Sequence, residues 1–361
     1  MLHDDDLEAA VGAGIVTQPQ ADALREFAAK RRSIGAAEHA DEEDFRFMRG
    51  FSDIFFAIGV VLFGAGLAIF AGFNASPLVY GLSAVIMWGL AELLVRRKRL
   101  VLPGIFIVAF FIVFAVLAIP IASWVVSTPT SSMAVTPTTN LLLGLFGNGT
   151  APRLAINATL ASVAAGVFYL RFRFPFALLP FAAGAASAII FTIDYFLFNG
   201  SAAAQLWLML LCGAGVFAFA MWFDLSDRLR VTRRSDCAFW LHILAAPLIV
   251  HALVGLVSFD RFKPDHSVSA MIIGVAALLT VVALIIDRRA LLVSALIYVG
   301  SVIAYVLSTA VEGGLFVSIA TLVILGILVL ALGIGWAALR RRVLPLLPPR
   351  FVDRLPPAVP A

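Results

Sequence analysis

The sequence predicts an all-α membrane protein: a polytopic helical bundle of about ten transmembrane spans, preceded by a small N-terminal helical hairpin. Of the 361 residues, 62% are hydrophobic and only 13% are charged, whereas soluble domains contain about 45–50% apolar and about 25% charged residues. The mean hydropathy is +1.01. The apolar residues form successive long runs, which excludes a soluble enzyme, a disordered tail, a disulfide scaffold and a nucleic-acid-binding domain.

Residues 1–48 form the first element, an acidic head with eleven acidic and five basic residues. One helix is expected from Asp4 to Val11, and a second opens at Thr17, where Thr17 and Gln20 form a capping box around Pro19. A helical hairpin of this size is too small for a core of its own. The head therefore either lies on the membrane body or is a docking module for another protein.

Ten apolar runs follow the head, and most have the ~20 residues needed to cross the ~30 Å of hydrocarbon. They are 51–73, 77–95, 100–126, 154–170, 174–197, 202–223, 237–259, 268–286, 290–309 and 313–338. The run 154–170 is short and contains Asn157, Thr159 and Ser162, which makes it the weakest of the ten. Glycines within the runs are expected to allow close helix packing, namely Gly64, Gly66, Gly184, Gly213 and Gly215.

Orientation follows from the basic residues. With alternating loops and the N-terminus inside, 23 of the 26 lysines and arginines fall on the cytoplasmic side, and Arg153, Arg261 and Lys263 fall outside. This asymmetry follows the positive-inside rule and predicts ten spans with both termini cytoplasmic. Tryptophans near the inner ends of the spans are expected in an interfacial belt: Trp222, Trp240 and Trp336.

Three domains result from these boundaries: the head at 1–48, the membrane domain at 49–342 and a proline-rich cytoplasmic tail at 343–361. Two loops are long. Residues 127–151 are polar and external, and residues 224–236 form an internal loop of mixed charge. Within that internal loop, Arg233, Arg234 and Asp236 are candidate contacts for a cytoplasmic partner.

Two segments resemble a known group of proteins. The head contains the motif Gly14-Ile15-Val16-Thr17 followed by Gln20-Ala21. The second segment is residues 235–242, Ser-Asp-Cys-Ala-Phe-Trp-Leu-His, which precede Pro247. The head and the multispan body thereby resemble a bacterial family of predicted membrane proteins with an N-terminal domain of unknown function, and residues 235–242 look like a feature of uncharacterised proteobacterial membrane proteins. The resemblance implies a location in the bacterial inner membrane and transfers no catalytic residue.

Ionisable residues within the spans are candidates for a functional site, because charges in hydrocarbon are costly. Asp53 and Glu92 each lie near a basic flank, and the simplest interpretation is that they reach the interface or pair with arginines such as Arg49 and Arg96. Asp194 lies near the outer face, beside Tyr195 and Asn199. A role at the helix end is expected there rather than a buried one.

The seventh run contains the most unusual polar residues, His242 and His251, on either side of Pro247. Nine residues at about 100° each place the two rings on opposite sides of a straight helix, so the pair is not expected to bind one metal ion. Two half-sites are predicted, an inner one at His242, with Glu92 at similar depth, and an outer one at His251, with Asp194 as the nearest carboxylate. At least one histidine is predicted to face the interior with a polar partner at ~2.7–3.2 Å.

Two functions remain open from the sequence. The first is a carrier of a small or amphipathic solute, since ten spans with both ends inside are compatible with an inverted repeat of five. The second is a non-transporting scaffold that binds a protein partner through the head and the 224–236 loop. Enzyme motifs are missing from the sequence, and no cofactor, metal or nucleic-acid partner is expected; the lipid bilayer is the expected surrounding.

Overall fold

A computed structural model gives the fold, and it describes residues 11–24, 51–74, 76–119, 151–227, 232–258, 266–310, 314–348 and 355. Within these ranges the chain is helical and contains no strand. The predicted all-α fold class is confirmed. The external segment around residues 127–150, Arg49 and most of the head lie outside the described residues.

Ten long helices follow one another along the described membrane body. The first five are α1 Phe51–Asn74, α2 Pro77–Leu90, α3 Leu102–Leu117, α4 Ala151–Phe172 and α5 Leu178–Ile193. The others are α6 Ala202–Ser226, α7 Arg233–Ser258, α8 His266–Ile286, α9 Ala290–Ala310 and α10 Gly314–Val343. Four short helical segments extend them: the π-helical segments Ala91–Arg97 and Asp194–Phe198 and the 3₁₀ turns Pro175–Ala177 and Leu344–Leu346.

The helices are those of a multi-pass membrane protein. Eight of the described helices are long and apolar enough to cross a bilayer, and α4, the weakest run in the sequence, is among them. The apolar stretches of α3, Leu102–Leu117, and of α9, Ala295–Thr309, are shorter. Each of the ten predicted apolar runs therefore contains a helix.

Helices α1 to α4 share an aromatic core. Trp88 of α2 lies with its ring centroid 5.3 Å from that of Phe111 and 5.0 Å from that of Phe172. Phe168, fully buried on α4, lies 4.5 Å from Phe172. Phe174, in the connection to α5, closes this core and packs over Gly104 at the start of α3. Apolar packing therefore joins the first four helices.

Helices α4 and α5 approach closely at Gly184. A Cβ placed there would come within 2.7 Å of the Ala158 carbonyl oxygen, so only glycine fits. Nearby, the Ser162 hydroxyl donates a hydrogen bond of 2.9 Å to the Phe181 carbonyl across the helix pair. The prediction of close packing is thus confirmed at Gly184.

Helix α7 lies at the centre of the second half, where it packs against α5, α6, α8 and α9. Half of the residues in the apolar stretch of α7 are buried, compared with 6% in that of α10. Gly213 of α6 admits the backbone of α7 just beyond Pro247, since a Cβ would lie 3.2 Å from the Ile249 nitrogen. The helix continues through Pro247.

Two other glycines differ from the prediction. At Gly66 and Gly215 the expected close contact is wrong, because open space surrounds both positions.

Contacts between connections place the arginine-rich turns at one end of the bundle. Glu92, after α2, meets Arg171 at the end of α4. Phe176, before α5, packs on Trp240 near the start of α7 with ring centroids 4.7 Å apart. Arg288, between α8 and α9, contacts Asp224 at the end of α6. We call this the arginine-rich end.

Short pieces of the head and tail are described. The Thr17 backbone N–H donates to the Gln20 side-chain oxygen at 2.9 Å, which is half of the predicted capping box, and residues 18–24 are helical. The preceding helix ends in a turn at Gly14, whose φ is +72°. In the tail, Leu344 and Leu355 are buried against α8 to α10, so this part of the tail packs on the bundle.

Candidate functional site

The α8–α9 connection places two charged side chains in opposite directions. Helix α8 ends at Ile286, and Asp287 adopts the left-handed conformation, with φ 57°. A non-glycine residue there costs about 1–2 kcal/mol. The Arg288 N–H then donates to the Ala283 carbonyl at 2.9 Å, which caps the helix. Because the turn is this tight, Asp287 and Arg288 reach different neighbouring helices.

Arg288 is buried and connects α6 with α7. Its Nε donates to the two carboxylate oxygens of Asp224 at 3.2 and 3.1 Å, and its Nη2 donates to the same carboxylate. Nη2 also donates to the Ser235 carbonyl at 3.2 Å and to the Ser235 hydroxyl oxygen at 3.1 Å. Such forked contact between guanidinium and carboxylate fixes both side chains in direction as well as distance.

His242 completes this group from the third turn of α7. Its Nε2 lies 2.9 Å from Asp224 Oδ2, and its side chain is fully buried. An ionised carboxylate only accepts hydrogen bonds, so Nε2 is the protonated ring nitrogen in this contact. The ring packs edge-on against Phe217 with centroids 5.3 Å apart. We name Asp224, Ser235, His242 and Arg288 the charge cluster.

The order of contacts defines what the charge cluster can do. It runs from Ser235 through Arg288 and Asp224 to His242. The guanidinium lies between the serine hydroxyl and the carboxylate, which is not the arrangement that activates a serine nucleophile through histidine. With a neutral histidine the cluster has no net charge, and breaking it requires new partners for two ions.

A second buried group lies beside the charge cluster. The Trp336 indole N–H of α10 donates to Asp287 Oδ1 at 2.8 Å, and Arg340 Nη1 lies 3.8 Å from Asp287 Oδ2. Arg340 Nε also donates to the Leu284 carbonyl at 3.2 Å. Trp336, predicted in the interfacial belt, is 1% exposed and bonds a buried carboxylate, so other parts of the protein cover its ring at the arginine-rich end.

His251 makes a separate contact with α9. Its Nδ1 lies 2.7 Å from the Tyr298 hydroxyl, and the ring is exposed in the described part of the chain. The two histidines of α7 therefore contact different helices, α6 and α9. The prediction that at least one histidine faces the interior with a polar partner within hydrogen-bond distance is confirmed for His242, whereas His251 has a polar partner but is exposed.

Asp194 is buried, contrary to the expectation of an exposed helix-end role. Its side chain is 2% exposed, and Oδ2 accepts a hydrogen bond of 2.8 Å from Gln205 at the start of α6. The π-helical turn bends this residue inward, and Asn199, with φ 50°, caps the turn by donating to the Asp194 carbonyl at 2.8 Å. Gln205 thus pairs with the carboxylate that was predicted to be nearest in depth to His251.

Glu92 pairs with arginines as predicted. Its carboxylate lies 3.0 Å from Arg96 and 2.6 Å from Arg171, and all three side chains are partly exposed. Glu92, predicted at a depth similar to that of His242, joins α2 to α4 and lies outside the charge cluster. Asp53, expected at the interface, is buried with 1% exposure in the first turn of α1.

The predicted 224–236 loop is shorter than expected. Asp224 lies in the last turn of α6, and α7 already begins at Arg233. Asp227 is buried and accepts a hydrogen bond of 2.9 Å from the Thr232 N–H. Of the candidate partner contacts, Arg233 and Arg234 are exposed and Asp236 is half-buried.

Sequence reasoning found one member of the charge cluster, His242, and missed the other three. Asp224 and Ser235 were assigned to a solvated loop, and Arg288 was counted as a cytoplasmic flank. The available signal was the position of Asp224 directly after a fully apolar turn, Met221-Trp222-Phe223. An acidic residue that continues an apolar helix by one turn indicates a buried partner.

Together, the helices and the charge cluster define a class, the all-α multi-pass membrane protein with buried ion pairs at one end of the bundle. No group of three or more histidine, cysteine or carboxylate side chains suited to a metal ion occurs within the described ranges. Compared with models of known protein families, with curated proteins and with solved structures, the chain has no match.

Proposed function

We propose that this protein is a carrier of a small or amphipathic solute, whose charge cluster is a gate at the arginine-rich end. The observation that supports this is the burial of Asp224, His242 and Arg288 at the junction of three helical elements. A buried ion pair is often no more stable than a hydrophobic replacement of similar volume. The ion pair therefore needs a reason other than stability.

Gating supplies that reason. The cluster joins the α6–α7 hairpin to the α8–α9 connection through hydrogen bonds of the Arg288 guanidinium. When these elements separate, water solvates the two exposed ions, so the open state has a free energy similar to that of the closed state. An apolar contact between the same elements would have no open state of similar free energy. A contact with two discrete states of similar free energy is what a conformational gate requires.

We also propose that the arginine-rich end is cytoplasmic, that both termini lie there, and that the membrane is a bacterial inner membrane. The positive-inside rule supports the orientation, since the predicted topology assigns 23 of the 26 lysines and arginines to that side. The contacts of Glu92, Phe176 and Arg288 support it as well, because they join connections of the same predicted side.

Dye entry into vesicles tests the carrier function. The purified full chain is reconstituted into phosphatidylethanolamine–phosphatidylglycerol vesicles that enclose DNA, and ethidium entry is followed by fluorescence. We expect faster entry than into protein-free vesicles. Asp224→Asn should accelerate entry about tenfold, because weakening the closed state by about 1.4 kcal/mol raises the open population tenfold.

Glu92→Gln is the matched control, since it removes a partly exposed carboxylate–arginine contact from the first half of the same chain. Its entry rate should equal that of the wild type. Entry no faster than in protein-free vesicles, for ethidium and for the anionic dye anilinonaphthalene sulfonate alike, would contradict the carrier function. An acceleration by Glu92→Gln equal to that by Asp224→Asn would contradict the gate.

A scaffold is the second candidate, and one observation favours it. The described part of the head exposes two apolar side chains, Ile15 at 76% and Leu24 at 47%. Exposed apolar residues on a small acidic hairpin suit a protein partner better than water. A chain without the head that still accelerates dye entry would separate this candidate from transport.

A further inference from the structure

A band of polar groups lies on the outer face of α7 and α9, away from the charge cluster. Each of these residues is exposed or half-buried in the described part of the chain. The band contains His251 of α7 and four hydroxyl residues of α9, namely Tyr298, Ser301, Tyr305 and Ser308. We name this set the polar track. The hydroxyl residues recur every three or four positions, so they share one face of the helix.

The polar track reaches from the middle of the bilayer to the end opposite the arginines. His251 lies nine residues beyond His242, about 13 Å along the axis, and Tyr298 lies ten residues beyond Arg288, about 15 Å. Because His242 and Arg288 share the charge cluster, the contact of His251 with Tyr298 lies near the centre of a ~30 Å core. Ser308 lies about 15 Å further on.

Pro247 extends the polar groups toward the arginine-rich end. It is exposed on α7, one turn before His251. Proline has no N–H, so the carbonyl of Ile243 lacks its usual helical hydrogen bond. Ile243 lies beside His242 in the sequence, at the level of the charge cluster. The carbonyl of Ile243 therefore adds a polar atom about one helical turn nearer the arginine-rich end than Pro247.

The chemistry of the polar track suits a hydrogen-bonding ligand. The Ser301 and Ser308 hydroxyls each donate 2.7 Å hydrogen bonds to carbonyls of their own helix, those of Tyr298 and Tyr305. Their oxygens retain lone pairs that accept hydrogen bonds. Polar groups that face hydrocarbon are costly and are usually covered or functional.

We propose that the polar track is the path along which the headgroup of a lipid-like amphipathic substrate crosses the membrane, while its acyl chains stay in the hydrocarbon. Exposed apolar side chains flank the track, including Ile297 at 71% and Val306 at 46%. Exposed Arg289 lies at the arginine-rich end of α9 and attracts a phosphate. This inference rests on the proposed carrier function, and it names the class of substrate.

Lipid movement between leaflets tests the path. The full chain is reconstituted into phosphatidylcholine–phosphatidylglycerol vesicles with a trace of phosphatidylglycerol that has a fluorescent nitrobenzoxadiazole group on one acyl chain. Dithionite added outside destroys the fluorescence of the outer leaflet only. We expect protein-containing vesicles to lose nearly all fluorescence with time, whereas protein-free vesicles keep the inner-leaflet fraction.

The joint change Ser301→Leu and Ser308→Leu should slow this movement about tenfold, as expected when two hydrogen bonds are lost from the crossing state. Leucine on a lipid-facing helix surface is compatible with folding. Ser318→Leu is the matched control, because Ser318 is exposed on α10 and donates to its own helix, to the Gly314 carbonyl at 2.8 Å. Ser301→Thr keeps the hydroxyl and should keep the rate.

The outcomes separate this inference from the proposed function. If ethidium enters the vesicles and the labelled lipid does not cross, the carrier function stands and the lipid path is wrong. An unchanged crossing rate in the double leucine variant also overturns the path. Disulfide-linked dimers of a Ser301→Cys variant in membranes, in high yield, would show that a second copy covers this face, and would likewise overturn it.

Discussion

The two halves of the molecule join their helices by different physical means. In the first half, α2 to α4 meet through aromatic rings, with Trp88, Phe111, Phe168 and Phe172 as the central contacts. In the second half, the ends of α6 to α10 meet through buried ions, with Arg288 and Asp287 at the centre. Both halves have the same task, which is to fix helix ends inside a bilayer.

The difference concerns how each contact fails. Apolar contacts are non-directional, and a substitution that removes an aromatic ring leaves a cavity that neighbouring side chains fill in part. Buried ion pairs are directional, and the loss of one partner leaves a charge without compensation. We infer that the first half is the rigid part of the molecule, and that the second half has a contact that either forms completely or opens.

The largest expected effect is that of Arg288→Leu. It leaves the Asp224 carboxylate buried without its guanidinium, which costs about 3–5 kcal/mol for buried pairs. The free energy of unfolding should fall by that amount in SDS titrations of the protein in detergent micelles. Adding Asp224→Asn to this variant removes the second charge and should restore at least half of the loss.

Two results would contradict this comparison. One is a loss below about 1 kcal/mol for Arg288→Leu, the value typical of an exposed pair. The other is a double variant whose loss equals the sum of both single losses, since independent residues show additive effects and coupled ones do not.

Phe168→Ala should have the next largest effect, in the first half. Phe168 is fully buried and contacts Trp88, Phe111 and Phe172. In water-soluble proteins such a change costs about 3–5 kcal/mol. Lipid is as apolar as the ring, so only the packing loss remains, and we expect about 2 kcal/mol by the same titration. Dye entry should stay at the wild-type rate, because this core is not part of the proposed gate.

Trp336→Phe keeps the aromatic ring and removes one hydrogen bond. The indole N–H donates to Asp287 at 2.8 Å, and the pair is buried. Hydrogen bonds to charged groups contribute about 1.5–3 kcal/mol, and Arg340 remains near the carboxylate. We therefore expect a loss of about 1.5 kcal/mol. A loss as large as that of Arg288→Leu would show that Asp287, and not Asp224, is the more important carboxylate.

The fold could be predicted from the sequence because lipid imposes simple rules. A long apolar run must form a helix, as every backbone group needs a partner in hydrocarbon. The ends of α6 and α7 could not be predicted, because Asp224 and Arg233 lie in a stretch of mixed charge. Charged residues there are typical of solvated loops, and only the tertiary fold shows that Asp224 is buried.

The candidate site was likewise only partly predictable from the sequence. His242 and His251 were found, because ionisable residues within an apolar run are visible in the sequence. Their partners were not, since Asp224 and Tyr298 are 18 and 47 residues away. Which helices pack together decides such contacts. That packing depends on close approaches such as the one between Gly213 and α7, and the sequence does not distinguish Gly213 from Gly215, which has open space around it.

Glu92→Gln should have the smallest effect and is the sharpest test of the comparison. Glu92 and Arg171 make the same kind of contact as Asp224 and Arg288, at 2.6 Å, but their side chains are 30% and 40% exposed. Water screens this pair, and exposed pairs contribute only about 0.2–1 kcal/mol. We expect a loss of about 0.5 kcal/mol in the SDS titration, and a smaller one at high salt. If Glu92→Gln instead destabilised the protein as much as Arg288→Leu, burial would not distinguish the two halves, and the charge cluster would lose its separate status.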